Sequence, residues 1–217
     1  MRFLHRRRLV IAIVGSGIAL IALLVIGVYG LLRGQADASQ PERPAPEISV
    51  SPTPPARADR PQPVLETSNA EHFARSVAHA LFNWDTRHNG GPSEWAQVLI
   101  DVADADEAAA VASDVRGYLP SVESWTQLGT YGTRQWLELE SVAVPAAWAT
   151  ALDQATAGQI PDGAAAITVV GTRHRTGTWD TEVVRTDRTV AFTVFVVCPG
   201  QASCTLLRLS QLDQPLE

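Results

Sequence analysis

Residues 189–198 read Thr-Val-Ala-Phe-Thr-Val-Phe-Val-Val-Cys, and this run decides the fold. It is rich in β-branched and aromatic residues and apolar on both faces, which is typical of a central strand. The connection Pro-Gly-Gln-Ala-Ser at 199–203 is rich in turn-forming residues, and a second strand is predicted over 204–212. The two strands therefore form an antiparallel hairpin.

Further strands precede this hairpin. Residues 135–144 alternate apolar and polar side chains until the parity switches at Val142, as a β-bulge would make it. A short helix is predicted over residues 145–157, with Pro145 in its first turn. A third long strand is predicted over residues 165–175, and residues 179–184 are expected to add an edge segment. We therefore expect a bent, four-stranded antiparallel sheet.

Three amphipathic helices are predicted before the sheet. Ser68 and Glu71 have the spacing of a capping box, and Asp104 with Glu107 repeats that signal. Apolar residues then recur at helical spacing in three runs: Phe73, Val77, Leu81 and Trp84; Trp95, Val98, Leu99 and Val102; Ala108, Val111, Ala112 and Val115. Helices followed by an antiparallel sheet make an α+β domain.

A transmembrane helix is predicted near the amino terminus. Leu9 and Leu32 bound 24 consecutive uncharged residues, about 36 Å of helix, which exceeds the roughly 30 Å hydrocarbon core of a bilayer. Four arginines precede this span and only Arg33 follows it directly, so the amino terminus is expected in the cytoplasm and the rest of the chain outside. The alternative is a cleavable signal peptide ending at Ala36-Asp37-Ala38, whose apolar region would usually be shorter.

Composition divides the chain into three parts: residues 1–33, with the basic tail and the span; a linker over 34–67; and a folded domain over 68–217. The linker holds eight of the 14 prolines, which predicts a disordered, extended spacer. The folded domain has 18 acidic residues and nine arginines, a net charge of −9. An acidic domain lacks the positive field that attracts nucleic acid, so we expect no direct nucleic-acid binding.

Cys198 and Cys204 flank the predicted hairpin turn. Outside the cytoplasm, two cysteines that face each other across a hairpin end are expected to form a disulfide. A metal site is the alternative, but two cysteines with no nearby histidine supply too few ligands for zinc.

Catalytic signatures are lacking. The sequence contains no Gly-x-Ser-x-Gly, no phosphate-binding glycine loop and no His-Glu-x-x-His. His72 and His79 are seven residues apart and are expected on a solvated helix face. Asp85 and His88 could line a cleft or simply end a helix. We therefore predict no catalytic, cofactor-binding or metal-binding residue, and no enzyme activity.

A candidate interface combines a basic run with a tryptophan. Arg173, His174 and Arg175 lie together at a predicted strand end, which favours a surface patch for a partner or an anionic polymer. Trp179 lies in a turn-like segment and is the tryptophan with the strongest expectation of exposure. The other five tryptophans are expected mainly to pack helices against the sheet.

The whole layout resembles a known group of proteins. A basic tail, one membrane span, a Pro-rich spacer and an α+β domain, with the segments 73–86 and 194–199, resemble the VirB-eight and TcpC group of bitopic conjugation and type IV secretion proteins. The resemblance implies a cystatin-like, nuclear-transport-factor-two-like cone and a non-enzymatic scaffold in the cell membrane. It also implies partners, namely further copies of the chain and other membrane subunits.

Other functions remain open at this point. The same cone could bind a small ligand or carry an enzyme site on the concave face of its sheet. An accessory protein of an actinobacterial lipid-import system can share the layout, and a cell-wall polymer is another candidate ligand.

Overall fold

The computed structural model describes residues 60–88 and 90–217. The predicted membrane span and most of the predicted linker lie outside these residues. In the described part of the chain, every helix is too short or too polar to cross a bilayer.

The described residues form an α+β domain with five helices and a curled, five-stranded antiparallel sheet. The helices are α1 (Ala70–Phe82), α2 (Pro92–Ile100), α3 (Ala108–Arg116), α4 (Val122–Thr130) and α5 (Ala147–Gln154). The strands are β1 (Trp84–Asp85), β2 (Arg134–Ala143), β3 (Ala164–Trp179), β4 (Glu182–Val197) and β5 (Thr205–Leu209).

The strands follow one another across the sheet in the order β1-β2-β3-β4-β5, and all pairs are antiparallel. The register of β2 against β3 shifts between Leu139 and Ser141, which confirms the predicted bulge. Gly171 lies opposite Leu139, and a Cβ there would collide with the carbonyl oxygen of Glu138. A glycine at this position therefore lets the two strands approach closely beside the bulge.

Helices cover one face of the sheet, which we call the helix-side face. Along β3 and β4 this face presents Ile167, Val169, Phe192 and Val194, and it packs against the apolar stripe of α1. The opposite face, which we call the outer face, is contacted by α5, where the Trp148 ring lies 6.3 Å from that of Phe195. Alternation along each strand thus assigns neighbouring residues to opposite faces.

Three tryptophans join the helices to the start of the sheet. The ring of Trp125 lies 5.4 Å from that of Trp84 and 5.2 Å from that of Trp95, and all three side chains are buried. Trp95 donates its indole N–H to the carbonyl of Asn83, whose side-chain oxygen accepts from the backbone N–H of Leu137. The expectation that tryptophans pack helices against the sheet is confirmed for these three.

The predicted counts of three helices before the sheet and four strands were too low. Residues 121–130 form α4, where Ser121 accepts from the N–H of Ser124 and Trp125 provides the buried side chain. Its large apolar residues, Val122, Trp125 and Leu128, recur only at intervals of three, so the i, i+3, i+4 pattern of an amphipathic helix is missing. The fifth strand, β1, is only two residues long and depends on non-local pairing with β2.

Both predicted capping boxes were also wrong. Asn69, not Ser68, caps α1, and its side-chain oxygen accepts from the N–H of His72 at 2.9 Å. Asp104 accepts from the N–H of Asp106 in a turn, and α3 begins only at Ala108. Short polar side chains compete for several nearby N–H groups, so their spacing alone does not fix a helix start.

The β3–β4 hairpin is much longer than the sequence indicated. Each strand has 16 residues, about 50 Å, and only the Asp180-Thr181 turn separates them. The predicted edge segment at 179–184 is the tip of this hairpin. The outer half of the hairpin contains Thr, Arg and Asp instead of a regular apolar pattern, because much of this half lies beyond the core.

Candidate functional site

The outer half of the long hairpin, residues 172–189, concentrates the predicted interface residues; we call it the outer hairpin. It carries four of the nine arginines of the folded domain, Arg173, Arg175, Arg185 and Arg188. Its acidic residues are Asp180, Glu182 and Asp187, so it is slightly basic within an acidic domain.

The tip of the outer hairpin exposes large apolar side chains. Trp179 is 62% exposed, Val183 63% and Val184 49%. The Trp179 ring stacks on Tyr131, with centroids 5.1 Å apart and planes at 17°. The predicted exposure of Trp179 is confirmed, and the stack holds the ring in a fixed orientation.

The free edge of β4 continues this surface. Strand β5 pairs with β4 only between Val194 and Val197, so no strand of the described residues pairs with Glu182–Thr189 on that side. All eight residues of that stretch are exposed. An open strand edge presents unpaired N–H and C=O groups to which another extended chain can bind.

Arg173 and Arg175 both lie on the helix-side face. Each is partly buried. Burial and the nearby Arg188 guanidinium lower the pKa of Arg173, while Asp213 works in the opposite direction. Burial and the charge of Arg173 lower the pKa of Arg175. These shifts indicate two cations that lack full compensation by neighbouring carboxylates.

His174 lies on the outer face, and the prediction that it forms one surface patch with its arginine neighbours was wrong. Its side chain is buried, with 6% exposure, and stacks on Trp136 at 5.0 Å and 18°. The cause is the alternation of the strand, which turns residue 174 away from residues 173 and 175.

Two carboxylates from neighbouring strands bind the His174 ring. Nδ1 lies 2.7 Å from Oδ1 of Asp187, and Nε2 lies 3.1 Å from Oε2 of Glu138. A doubly protonated ring can donate to both carboxylates, whereas a neutral ring can donate to only one. Because both ring nitrogens are engaged, neither is open to a substrate in this arrangement. The role that the contacts support is structural: they join β2, β3 and β4.

A shallow apolar pocket of about 230 Å³ lies on the helix-side face near the tip. Its exposed wall is almost entirely apolar. The lining comes from α4 and the following turn, from β3 and from β4: Leu128, Tyr131, Thr133, Arg175, Thr176, Gly177, Thr178, Trp179, Val184 and Thr186.

The disulfide between Cys198 and Cys204 is present and closes the β4–β5 turn, as predicted. The backbone N–H of Cys204 donates to the carbonyl of Thr67, and this hydrogen bond holds the start of the domain against the turn. Within residues 60–88 and 90–217, no three His, Cys, Asp or Glu side chains cluster as metal ligands would.

The remaining candidate residues lie apart from the outer hairpin. His72 is exposed, but His79 is half-buried, and burial followed by the charge of Arg75 lowers the pKa of His79. Asp85 is buried in β1 and forms an ion pair with Arg87, as a structural residue of the strand. Although burial raises the pKa of Asp85, the hydrogen bonds from Arg87 outweigh it and the net pKa is lowered.

No protein-family model, no curated protein and no solved structure matches the chain.

Proposed function

We propose that the protein is a membrane-anchored scaffold of a conjugative, type IV secretion-like DNA-transfer apparatus and acts through protein contacts. Its span between Leu9 and Leu32 would anchor it with the amino terminus in the cytoplasm, and the Pro-rich linker would hold the folded domain outside. The observation that carries this proposal is the outer hairpin, which combines an exposed apolar tip with an open strand edge.

Two further features support the proposal. The Cys198–Cys204 disulfide suits an oxidising compartment beyond the membrane. Helices packed on a curled antiparallel sheet suit the cystatin-like, nuclear-transport-factor-two-like cone that the resemblance implies, and they support our proposal of that fold class for the domain.

An exposed apolar tip is the kind of surface that anchors a partner. A few residues, most often tryptophan, tyrosine and arginine, supply most of the binding energy at interfaces, and an open strand edge adds backbone hydrogen bonds. Trp179, Val183 and Val184 would be the apolar anchors, while Arg185 would contact acidic groups of the partner. The partners would be further copies of the chain and other membrane subunits of the apparatus.

Site-specific photocrosslinking in native membranes tests this function. A photoreactive side chain at Val183 is expected to capture transfer-apparatus subunits or a second copy, whereas the same group at Leu152, which is exposed on α5, is expected to capture far less. Recovery of an uncrosslinked monomer at both positions would contradict the proposal.

Transfer assays give a second test. Val183→Asp is expected to lower DNA-transfer frequency about tenfold or more, as expected for loss of an anchoring contact, and Leu152→Asp to leave it near the wild-type level. Loss of lipid uptake with normal DNA transfer would instead favour the lipid-import alternative.

A further inference from the structure

The pocket beside the hairpin tip has features of a binding site for a small molecule. Its volume of about 230 Å³ lies just below the range of roughly 300 to 1,000 Å³ that is usual for drug-sized ligands. It therefore has room for one aromatic ring or a short branched chain, but not for a long acyl chain. The Trp179–Tyr131 stack keeps two of its aromatic side chains in place.

A partly buried cation adjoins this apolar space. Arg175 is one of the lining residues, and its Nε and Nη2 both donate to Oε1 of Gln135, at 3.3 and 2.7 Å. Its guanidinium also lies 5.2 Å above the ring of Trp84. Within the described residues, no carboxylate forms an ion pair with Arg175, so its charge is held without an anion.

Arg173 adds a second charge on the same face. It precedes Arg175 by two residues on β3, is partly buried, and makes no ion pair with any described carboxylate. The indole N–H of Trp84, beneath Arg175, is buried and has no acceptor among the described residues. Of these groups only Arg175 lines the pocket itself. A cation in the wall of an apolar pocket is complementary to a ligand with an anionic head and an apolar body.

We propose that this pocket binds a small organic carboxylate, whose ring or short branched chain enters the pocket and whose carboxylate meets Arg175, with Arg173 as a second positive charge on the same face of β3. The guanidinium fork of Arg175 supplies charge-assisted hydrogen bonds, and the carboxylate supplies the missing counter-charge. The proposal does not rest on the scaffold role. Trp179 and Val184 belong both to the pocket and to the proposed contact surface, whereas Val183 lies on the outer face and outside the pocket, so a change at Val183 tests the scaffold role separately.

A matched pair of probes separates the apolar contribution from the charge. The probes are 3-phenylpropionate and the neutral 3-phenylpropan-1-ol, titrated into the full-length protein in lipid nanodiscs, with empty nanodiscs as the blank. The protein carries 5-fluorotryptophan, and loss of one fluorine resonance in Trp179→Phe assigns the Trp179 signal. We expect 3-phenylpropionate to shift that signal saturably and to bind about tenfold more tightly than the alcohol, as for one charge-assisted contact.

Arginine variants assign the carboxylate to its residues. Arg175→Gln is expected to lower the affinity for 3-phenylpropionate about tenfold, and so to remove the preference for the acid over the alcohol. Arg173→Gln is expected to have a smaller effect, and Arg116→Gln, at an exposed residue that ends α3, is expected to have none. The other five fluorine signals report whether each variant is folded. If Arg175→Gln does not fold, Arg175→Lys replaces it; this variant keeps the charge but not the guanidinium fork, and it is expected to bind 3-phenylpropionate more weakly than the wild type does. Equal binding of acid and alcohol, or no saturable shift at Trp179, would overturn the proposal.

Discussion

His174 Nδ1 and Asp187 Oδ1 lie 2.7 Å apart across the β3–β4 hairpin, and Glu138 reaches the other ring nitrogen from β2. Trp136 closes one side of the same ring. This contact lies at the inner end of the outer hairpin, so it holds three strands together where the helices no longer cover both sides of the sheet.

Loss of the His174 ring should therefore loosen the outer hairpin. His174→Ala is expected to lower the free energy of unfolding by about 2 kcal/mol, because it removes a buried ring and leaves two carboxylates close together without their shared partner. Urea denaturation measures the change. His174→Phe keeps the stacking on Trp136 but not the hydrogen bonds, so an unchanged stability in that variant would show that the carboxylates contribute little.

The tryptophans should differ sharply in their contributions to stability. Trp95→Ala is expected to cost about 3 to 5 kcal/mol, because the ring is buried, packs on Trp125 and donates to the carbonyl of Asn83. Trp179→Ala should cost about 1 kcal/mol, mainly the stack on Tyr131, since most of its surface already faces solvent. Thermal or urea denaturation of the two variants compares them; similar losses would contradict the assignment of Trp179 as an exposed side chain.

The disulfide should stabilise the domain modestly. The cysteines are six residues apart, and loop entropy for so small a ring predicts about 2 kcal/mol. Reduction of the wild-type protein is expected to lower its urea midpoint accordingly. A Cys198→Ala/Cys204→Ala variant serves as the control, because its midpoint should not respond to the reductant; a response there would assign the effect to something other than this bond.

Asp114 should make stability depend on pH in the acid range. Burial raises the pKa of this carboxyl, but hydrogen bonds from the Arg208 side chain and the Leu209 N–H outweigh it, so the net pKa is lowered on folding. A lowered folded-state pKa stabilises the protein above the unfolded value of about 3.9, and this contribution is lost as the pH falls through the folded-state value.

Urea midpoints measured between about pH 5 and pH 2 test this dependence. The wild-type midpoint is expected to fall with pH below about 4, and Asp114→Asn should fall less steeply because its side chain no longer titrates. Asp101→Asn, on an exposed carboxylate at the end of α2, is the matched control. Parallel curves for the wild type and Asp114→Asn would show that Asp114 does not contribute.

Local patterns in the sequence predicted much of the domain. Three predictions depended only on neighbouring residues, and the structure contains all three. The apolar run at 189–198 lies in a strand, the parity switch near Val142 marks a bulge, and the cysteines around a short turn form a disulfide. The α+β class follows from the same patterns, because helical and strand periods differ clearly over ten residues.

Contacts between distant parts of the chain decided the candidate sites. One clue was already present in the sequence: in a strand, Arg173 and Arg175 must point away from His174. The sequence did not indicate which carboxylates contact His174. Glu138 and Asp187 are 36 and 13 residues away in the chain, and only the registers of β2 and β4 place them beside the ring. The pocket likewise needs α4, whose large apolar residues recur only at intervals of three, to pack over the tip of the hairpin. Sequence thus determined the local elements, because propensity and periodicity act over a few residues, whereas only tertiary packing brought Arg175, Tyr131 and Trp179 around one space.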